Sequence, residues 1–313
     1  MIFFSRYIDS FYDTVFNTKK MYLCKNENNT MLCFPNAKIN LGLNIVSKRP
    51  DGYHNLETVF YPIGLKDALE IVPADHSIAG ADLRSAQTKG YRFFQTGIEI
   101  QGNARDNLVI KALKLISEEK EIPPIDIHLL KKIPFGAGLG GGSSDAAFML
   151  KLLNSTFSLG YTDDELAKKA AKIGADCPFF IQNRPAFATG IGDKLEEIHV
   201  DLSMYFFVLV KPNIAVPTKD AYATVTPRRP EISLKETVRK PVSEWKHWVK
   251  NNFETSVFQT YPEIARIKQH LYDSGAIYAS MSGSGSSVFA FFEKETDITG
   301  FPTDFFVWTN KEL

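Results

Sequence analysis

Cysteine is scarce in this chain, and long apolar runs are missing from it. The sequence has three cysteines in 313 residues, at positions 24, 33 and 177, and no C-x-x-C pair. That count and spacing argue against a disulfide framework and a zinc site, and they favour a reducing cytoplasm. The longest wholly apolar run, residues 204–210, is far shorter than the roughly twenty residues that a membrane span needs. A membrane is therefore not an expected partner.

An excess of charge of either sign is also missing. Lys plus Arg and Asp plus Glu each number 36, so the formal net charge is zero. Proteins that bind nucleic acid in general carry a strongly basic domain, and nucleic acid is therefore not an expected partner. The short pairs Lys131–Lys132 and Arg228–Arg229 are typical of solvated surface.

The first thirty residues differ from the rest of the chain. They are rich in aromatic residues, but Asp9 and Asp13 interrupt them, and they contain no long apolar segment or small-residue cleavage site. They do not resemble a signal peptide. We expect residues 1–30 to be a disordered leader or the product of an upstream start codon, without chemistry of its own.

From residue 31 onward, strand patterns and helix patterns alternate irregularly. Several strands are predicted before the first helix, including "KINLGLNIV" and "DALEIVP". Helices are predicted after Asn107, after a Thr162–Glu165 capping box, over residues 243–253 and from Pro262 to Gly275. The segment "ADCPFFI" is predicted to place Asp176 in a tight connection before a short apolar strand. This order indicates the α+β class.

The segment "PFGAGLGGGSSDAA", residues 134–147, contains five glycines within seven positions. The alternating segment that begins at Ile125 predicts a strand before it, and Ala146, Ala147 and Leu150 predict a helix after it, with Ser143 or Ser144 as the N-cap. Such a loop is either a flexible linker or a loop shaped around a ligand. Its place before a helix N-terminus favours an anion such as phosphate.

Three common phosphate loops fit this segment poorly. No lysine follows the glycines as a P-loop requires, and the chain lacks the H-R-D and D-F-G motifs of protein kinases. A dinucleotide fingerprint matches at Gly136, Gly138 and Gly141, but such a match is common in so glycine-rich a run. The intervening Lys131, Lys132 and Pro134 also separate this loop from a Rossmann strand.

The segment resembles the second motif of the GHMP kinase superfamily. "PNAKINLGL", residues 35–43, resembles the first motif of that superfamily, and "SGSGSSVFAFF", residues 282–292, resembles the third. A fourth resemblance lies in residues 48–67, "KRPDGYHNLETVFYPIGLKD". This segment resembles the signature of the GHMP kinases that phosphorylate the 2-hydroxyl of 4-diphosphocytidyl-2-C-methyl-D-erythritol. Those kinases act in the non-mevalonate route to isoprenoid precursors. The resemblance covers the chain from Met31 onward.

This resemblance implies a two-domain α+β fold with the active site in the cleft between the domains. We expect an N-terminal ATP-binding domain over residues 31–190 and a C-terminal domain over residues 191–313. The cofactors implied are ATP and Mg²⁺, and the partner implied is a small-molecule substrate with a cytidine diphosphate group. Ser144 is the candidate for contact with Mg²⁺. The candidate ATP-binding residues are Pro134, Gly136, Gly138, Leu139, Gly140, Gly141, Gly142, Ser143 and Ser144.

The family also implies which residues react with the acceptor or hold it. Asp176 would take the proton from the acceptor hydroxyl, and Lys38 would keep that carboxylate ionised. Read from the sequence alone, Asp176 fits a loop carboxylate and Lys38 a surface lysine. Asp145 suits a helix start, yet it would repel a triphosphate unless a metal or a neighbour offsets its charge. The candidate substrate-binding residues are Asn40, Tyr53, His54, Thr218 and Tyr222.

Three other functions stay open from the sequence. A kinase of the same fold could act on a different alcohol, although the D-G-Y-H stretch favours the diphosphocytidyl acceptor. A non-catalytic nucleotide-binding module is disfavoured because both Lys38 and Asp176 are present. A nicotinamide oxidoreductase would be distinguished by binding NAD rather than ATP.

Overall fold

A computed structural model describes residues 24–25, 31–74, 90–99, 106–223 and 225–310. The predicted leader lies outside the described residues apart from Cys24–Lys25. The strands are β1 Cys24–Lys25, β2 Met31–Cys33, β3 Asn36–Lys48, β4 His54–Lys66, β5 Ala68–Pro73, β6 Tyr91–Gly97, β7 Ile125–Lys131, β8 Ala186–Thr189, β9 Lys194–Glu197, β10 Phe206–Lys211, β11 Tyr278–Met281, β12 Val288–Phe292 and β13 Phe306–Thr309.

The described helices begin only after six strands. They are α1 Leu108–Ser117, α2 Gly141–Thr156, α3 Asp163–Ile173, α4 Cys177–Gln182, α5 Thr218–Ala223, α6 Leu234–Thr237, α7 Trp245–Trp248, α8 Phe253–Thr260 and α9 Pro262–Asp273, with a 3₁₀ turn at Val242–Glu244. Asn107 caps α1 and Thr162 with Glu165 forms a capping box on α3, which confirms both predicted helix starts. The order of elements confirms the α+β class.

Three sheets organise the described chain. The first has the order β1-β2-β5-β7-β6, the second β3-β4-β8-β9, and the third β11-β12-β10-β13. Helices α1 and α2 pack on the first sheet, with Val109 and Leu150 in the same buried cluster as Ile127. The β8–β9 pair spans residues 186–197 and so crosses residue 190, where the sequence suggests a domain boundary. The proposed division into 31–190 and 191–313 stays a prediction.

The long strand β3 joins the two halves of the chain. Its residues are buried without interruption from Asn36 to Ile45, because the strand contacts both its own half and the C-terminal half. Ile39 and Leu41 share a core with Leu209 and Phe289 of the third sheet. The motif-one strand therefore carries its polar residues into the junction between the halves.

Two predicted elements are wrong. The apolar segment after Asp176 forms the helix α4 rather than a strand, with Pro178 in its first turn, where proline fits a helix well. The helix predicted over residues 243–253 is broken. Its chain turns extended at Val249, where φ is −94° and ψ is 97°, before α8 begins at Phe253.

Candidate active site

The glycine loop leads from β7 into α2 through a series of left-handed residues. Gly136, Gly138 and Gly140 have φ values of 63°, 74° and 70°, a region that side chains disfavour. The predicted N-cap at Ser143 or Ser144 is wrong, because α2 begins at Gly141 and Gly140 is its cap, with no side-chain hydrogen bond. The first amides of α2 are therefore not capped by a side chain, as an anion site at a helix start requires.

The third glycine motif lies directly against the middle of this loop. A Cβ atom on Gly138 would lie 2.0 Å from the backbone oxygen of Ser282. The Ser282 hydroxyl donates a hydrogen bond to the Gly138 carbonyl over 2.9 Å, and the amide of Asn40 donates to that hydroxyl over 3.3 Å. All three glycine and polar motifs of the sequence thus meet at one point.

Lys38 and Asp176 come together beside that point. Lys38 Nζ lies 3.4 Å from Asp176 Oδ2 and donates hydrogen bonds to Asn40 Oδ1 over 2.6 Å and to the Gly138 carbonyl over 3.1 Å. It also lies 4.9 Å from the centre of the Phe60 ring. The amine is therefore held between the carboxylate and the glycine loop, a contact that residue spacing alone could not reveal.

The environments of the two charges differ. Lys38 is buried, with only 3% of its surface exposed, and burial lowers the pKa of its amine while Asp176 opposes that shift. The interpretation of Lys38 as a surface lysine is therefore wrong. The Asp176 side chain is 35% exposed, because it stands where α3 has ended and α4 begins. The carboxylate is open to the cleft while its partner is not.

A cleft of about 270 Å³ opens in front of this pair. Its walls come from both halves of the chain, and Asn40, Thr218 and Tyr222 from the predicted substrate-binding set are among them. Sequence reasoning missed several others, since nothing local distinguishes them from core or loop residues. The missed lining residues include Thr58, Phe60, Gly192, Val216 and Phe253, whereas Ser284 lies in the third motif that the sequence already indicated.

Tyr222 and Phe253 form one end of the cleft, and His54 stacks on Tyr222 from outside the described lining. His54 stacks on Tyr222 with 5.0 Å between ring centres, and the edge of Phe253 meets Tyr222 at 4.7 Å. Burial raises the pKa of the Tyr222 hydroxyl, so this ring stays neutral. Tyr53 is 62% exposed on the Asp51–Gly52 turn and lies outside the described lining of the cleft. The structure therefore groups His54 with Tyr222 but not Tyr53.

A second cavity, of about 440 Å³, lies on the other side of the glycine loop. Residues 133–143, including the exposed ring of Phe135, form much of its wall. Gln95, residues 106–108, Lys131 and Asp145 also line it. The predicted ATP-binding residues Pro134 to Ser143 all line this cavity. The loop is thus shared by two cavities, one with a helix N-terminus and one with the Lys38–Asp176 pair.

Three buried ionisable side chains, those of Lys131, Asp67 and Asp145, contact one another next to the glycine loop. Lys131 Nζ contacts Asp67 Oδ2 and lies 2.6 Å from Asp145 Oδ2. The other oxygen of Asp67 accepts hydrogen bonds from the amides of Lys132 and Ile133, over 2.6 and 2.8 Å. The interpretation of Lys131 as surface is therefore wrong, and the carboxyl group of Asp145 faces a neighbouring cation, Lys131, rather than standing alone.

This group carries two carboxylates for one amine, and that imbalance predicts a pH dependence. Burial raises the pKa of Asp145 to about 8, so between the ordinary value of 3.8 and that value the folded chain holds a proton that the unfolded chain releases. The free energy of unfolding therefore falls as the pH rises through that window, by up to about 1.4 kcal/mol per pH unit, because the folded chain binds one proton more than the unfolded chain. Asp145→Asn should flatten this slope in urea unfolding curves between pH 5 and 8. Asp164→Asn, on an exposed helix start, should leave the slope unchanged, and an unchanged slope in Asp145→Asn as well would contradict the assignment.

The described residues contain no cluster of three or more His, Cys, Asp or Glu side chains that could hold a metal by themselves. Mg²⁺ in nucleotide sites needs few protein ligands, because substrate phosphates and water complete its shell. Ser144, the predicted Mg²⁺ contact, offers a single hydroxyl for such a role, although it lies outside the described lining of both cavities. It is buried in the first turn of α2 and has no hydrogen-bond partner in the part of the chain that the structure describes.

Comparisons with known proteins match this geometry. The GHMP kinases N terminal domain matches residues 107–184, and the GHMP kinases C terminal domain matches residues 233–299. Among curated relatives, 4-diphosphocytidyl-2-C-methyl-D-erythritol kinase of Parabacteroides distasonis is 57% identical over 89% of this chain and 98% of its own. The protein of the same name from Chlorobium limicola is 41% identical over 83% of this chain and 88% of its own.

Solved structures agree with these relatives. A crystal structure of 4-(cytidine 5'-diphospho)-2C-methyl-D-erythritol kinase has 31% identity and a TM-score of 0.67, and the match covers 83% of this chain and 90% of that one. Homoserine kinase from Cytophaga hutchinsonii has 18% identity and a TM-score of 0.57 over 88% of this chain and 89% of that one, which supports the fold alone. No described helix is long and apolar enough to cross a membrane. The chain belongs to the 4-diphosphocytidyl-2-C-methyl-D-erythritol kinase family within the GHMP kinases.

Proposed function

We propose that this chain transfers the terminal phosphoryl group of ATP to the 2-hydroxyl of 4-diphosphocytidyl-2-C-methyl-D-erythritol. The observation that carries the proposal is the Lys38–Asp176 pair, held at 3.4 Å in a cleft that the glycine loop also lines. A carboxylate open to the cleft and a buried amine beside the loop are the groups that phosphoryl transfer to an alcohol needs. The family match identifies the acceptor.

In this proposal the acceptor hydroxyl lies against Asp176. Its oxygen forms a bond to the terminal phosphorus as the bond from that phosphorus to the bridging oxygen breaks, and ADP leaves with the electron pair. The hydroxyl proton passes to the carboxylate of Asp176. The ammonium of Lys38 lies 3.4 Å from this carboxylate and donates to the Gly138 carbonyl, so it fixes the carboxylate relative to the loop.

The glycine loop supplies the nucleotide side. The free amides at the start of α2 and the positive end of the helix dipole favour the phosphates of ATP. Ser144 would hold Mg²⁺ together with those phosphates, and the ion would neutralise part of their charge. The cavity beside Phe135 and Asn107 is the proposed place for the rest of the nucleotide. We also propose the cytoplasm as the location, since Cys33 and Cys177 are free thiols.

The aromatic end of the cleft is the proposed place for the cytosine ring. Tyr222 and His54 already stack on each other, so the base would lie on an exposed face of this pair rather than between the rings. Asn40 and Thr218 would contact other polar groups of the acceptor. Tyr53 could contribute only if the 51–53 turn moved toward the cleft.

A substrate panel tests the proposed function. ADP release is followed with ATP and Mg²⁺, with the diphosphocytidyl acceptor, homoserine, mevalonate or galactose added in separate reactions. We expect turnover with the first alone. Turnover with another alcohol would replace the acceptor assignment, and ATP binding without turnover on any alcohol would favour the non-catalytic module.

Replacing Tyr222 by leucine should weaken acceptor binding selectively. Stacking of a base on an aromatic ring is worth about 1–3 kcal/mol, so we expect KM for the diphosphocytidyl acceptor to rise by roughly 5- to 150-fold. KM for ATP is the internal control, because Tyr222 is remote from the second cavity. An equal rise of both KM values would indicate general damage to the protein and contradict a base-stacking role.

A further inference from the structure

A short segment that lies outside all three motifs in the sequence contacts both sides of the cleft in the structure. Residues 250–254, between α7 and the first turn of α8, lie against β3 on one side and against the third glycine motif on the other. Nothing in the sequence marks this segment, since its letters, "KNNFE", continue an ordinary helix pattern. Its side chains and backbone nevertheless form hydrogen bonds with two distant parts of the chain, β3 and the third glycine motif.

The first set of bonds attaches the segment to β3. The amide of Leu43 donates to the Lys250 carbonyl and the amide of Asn252 donates to the Leu43 carbonyl, each over 2.8 Å. The amide of Ile45 donates to Asn252 Oδ1, also over 2.8 Å. The segment thus runs as a short parallel partner of the strand that carries Lys38 and Asn40.

The second set attaches it to the third glycine motif. Asn251 Nδ2 donates to the carbonyls of Met281 and Gly283, over 2.7 and 2.8 Å. Glu254 Oε1 accepts from the amide of Met281 over 2.9 Å. Asn251 is 3% exposed, so these bonds form away from water, where a carbonyl left without a donor is strongly destabilising.

The loop held in this way forms part of the cleft wall. Gly283, Ser284 and Gly285 line the cleft, and Ser282 fixes the Gly138 carbonyl, which also contacts Lys38. Phe253, which belongs to the same segment and lines the cleft, packs against the ring of Tyr222. One segment therefore sets the position of the third motif relative to β3, the strand that bears Lys38.

We infer that Asn251 is a positioning residue for phosphoryl transfer, acting by fixing the 281–285 loop against the glycine loop and the Lys38–Asp176 pair. Asn251 touches neither reacting group in the described contacts. Its effect is geometric, and displacements of about 1 Å caused by residues remote from the chemistry can cost 10²-fold in rate. The inference rests on the proposed function for its kinetic consequence but not for the placement of the loop.

The neighbouring asparagines provide a matched test. Asn251→Asp removes both donors and places a carboxylate opposite two carbonyls, whereas Asn252→Asp keeps the oxygen that accepts from Ile45. Both variants change the net charge equally. We expect kcat with the diphosphocytidyl acceptor to fall about 100-fold in Asn251→Asp and to stay within about threefold of the wild type in Asn252→Asp, with KM for ATP changed less than kcat.

Two further readouts separate positioning from a purely structural role and from failure of the proposed function. Kinetics are measured at a temperature where circular dichroism shows that every variant is folded. At that temperature Asn251→Ala, which adds no charge, should retain a higher kcat than Asn251→Asp. Amide hydrogen exchange of the peptide that contains residues 281–285 needs no substrate, and it should speed up in Asn251→Asp alone. Equal exchange in both aspartate variants, or wild-type kcat in folded Asn251→Asp, would overturn the inference. Absence of turnover in the wild type would count against the proposed function only.

Discussion

Asparagine in place of Asp176 is expected to lower kcat by about 10²- to 10⁴-fold, the usual contribution of a positioned general base. The amide keeps the size of the carboxylate and can still accept a hydrogen bond from Lys38, but it cannot take up the acceptor proton. KM for ATP should change little, because Asp176 lines the first cavity and the nucleotide side of the loop lies in the second. Initial rates of ADP release at saturating acceptor measure the effect.

Asp164→Asn is the control for this variant. It makes the same chemical change on an exposed residue of α3, and its kcat should match that of the wild type. If Asp176→Asn retained more than about a tenth of the wild-type kcat, the carboxylate would not be the base. The kinase assignment itself would then stand on the substrate panel.

Alanine in place of Gly138 is expected to destabilise the chain more than alanine at Gly136. Both residues have a left-handed φ, which costs a non-glycine residue roughly 1–2 kcal/mol. At Gly138 the new methyl group would also lie 2.0 Å from the Ser282 backbone oxygen, whereas at Gly136 nothing lies within 4 Å. Overpacking of this kind adds about 1–3 kcal/mol, so Gly138→Ala should lose at least about 2 kcal/mol and Gly136→Ala about 1 kcal/mol.

Urea unfolding without nucleotide measures this difference, because it isolates the loop from any ligand that also approaches Gly136. The two variants share the same substitution, the same loop and the same backbone strain. They differ in the contact between the second and third motifs. Equal losses of stability in the two variants would mean that the third motif does not press on the glycine loop as the structure shows.

Local patterns were sufficient for much of the fold. Alternation of apolar residues predicted β3, β5 and β7, and side-chain caps at Asn107 and Thr162 fixed the starts of two helices. These features depend on residues within one or two turns of each other, which a sequence displays directly. The resemblance of the three motifs supplied the superfamily, because their order and spacing extend over most of the chain.

Contacts between distant residues could not be predicted in this way. Lys131 resembles a surface lysine until Asp67, which is 64 positions away, and Asp145 are placed around it. The helix pattern over residues 243–253 is broken because Leu43 pairs with the backbone of Lys250 and Asn252. In each case a tertiary hydrogen bond or ion pair overrides the local preference.

The candidate site also contains residues that the sequence could predict and contacts that only the structure shows. The family resemblance pointed to Lys38, Asp176, Asn40, Thr218 and Tyr222, and the structure brings these five into one cleft. The family resemblance does not indicate that His54 stacks on Tyr222, that Tyr53 faces outward, or that Asn251 holds the third motif. Those facts depend on side-chain directions at junctions, which no periodicity encodes.

The most direct test of the central claim is identification of the product. A reaction with ATP, Mg²⁺ and 4-diphosphocytidyl-2-C-methyl-D-erythritol is followed by phosphorus NMR and by mass spectrometry of the isolated product. We expect one new phosphomonoester signal, formed in equal amount to ADP, on the 2-oxygen of a product whose diphosphate bridge to cytidine is intact. ADP formed without a phosphomonoester, or a phosphate on another oxygen, would contradict the central claim.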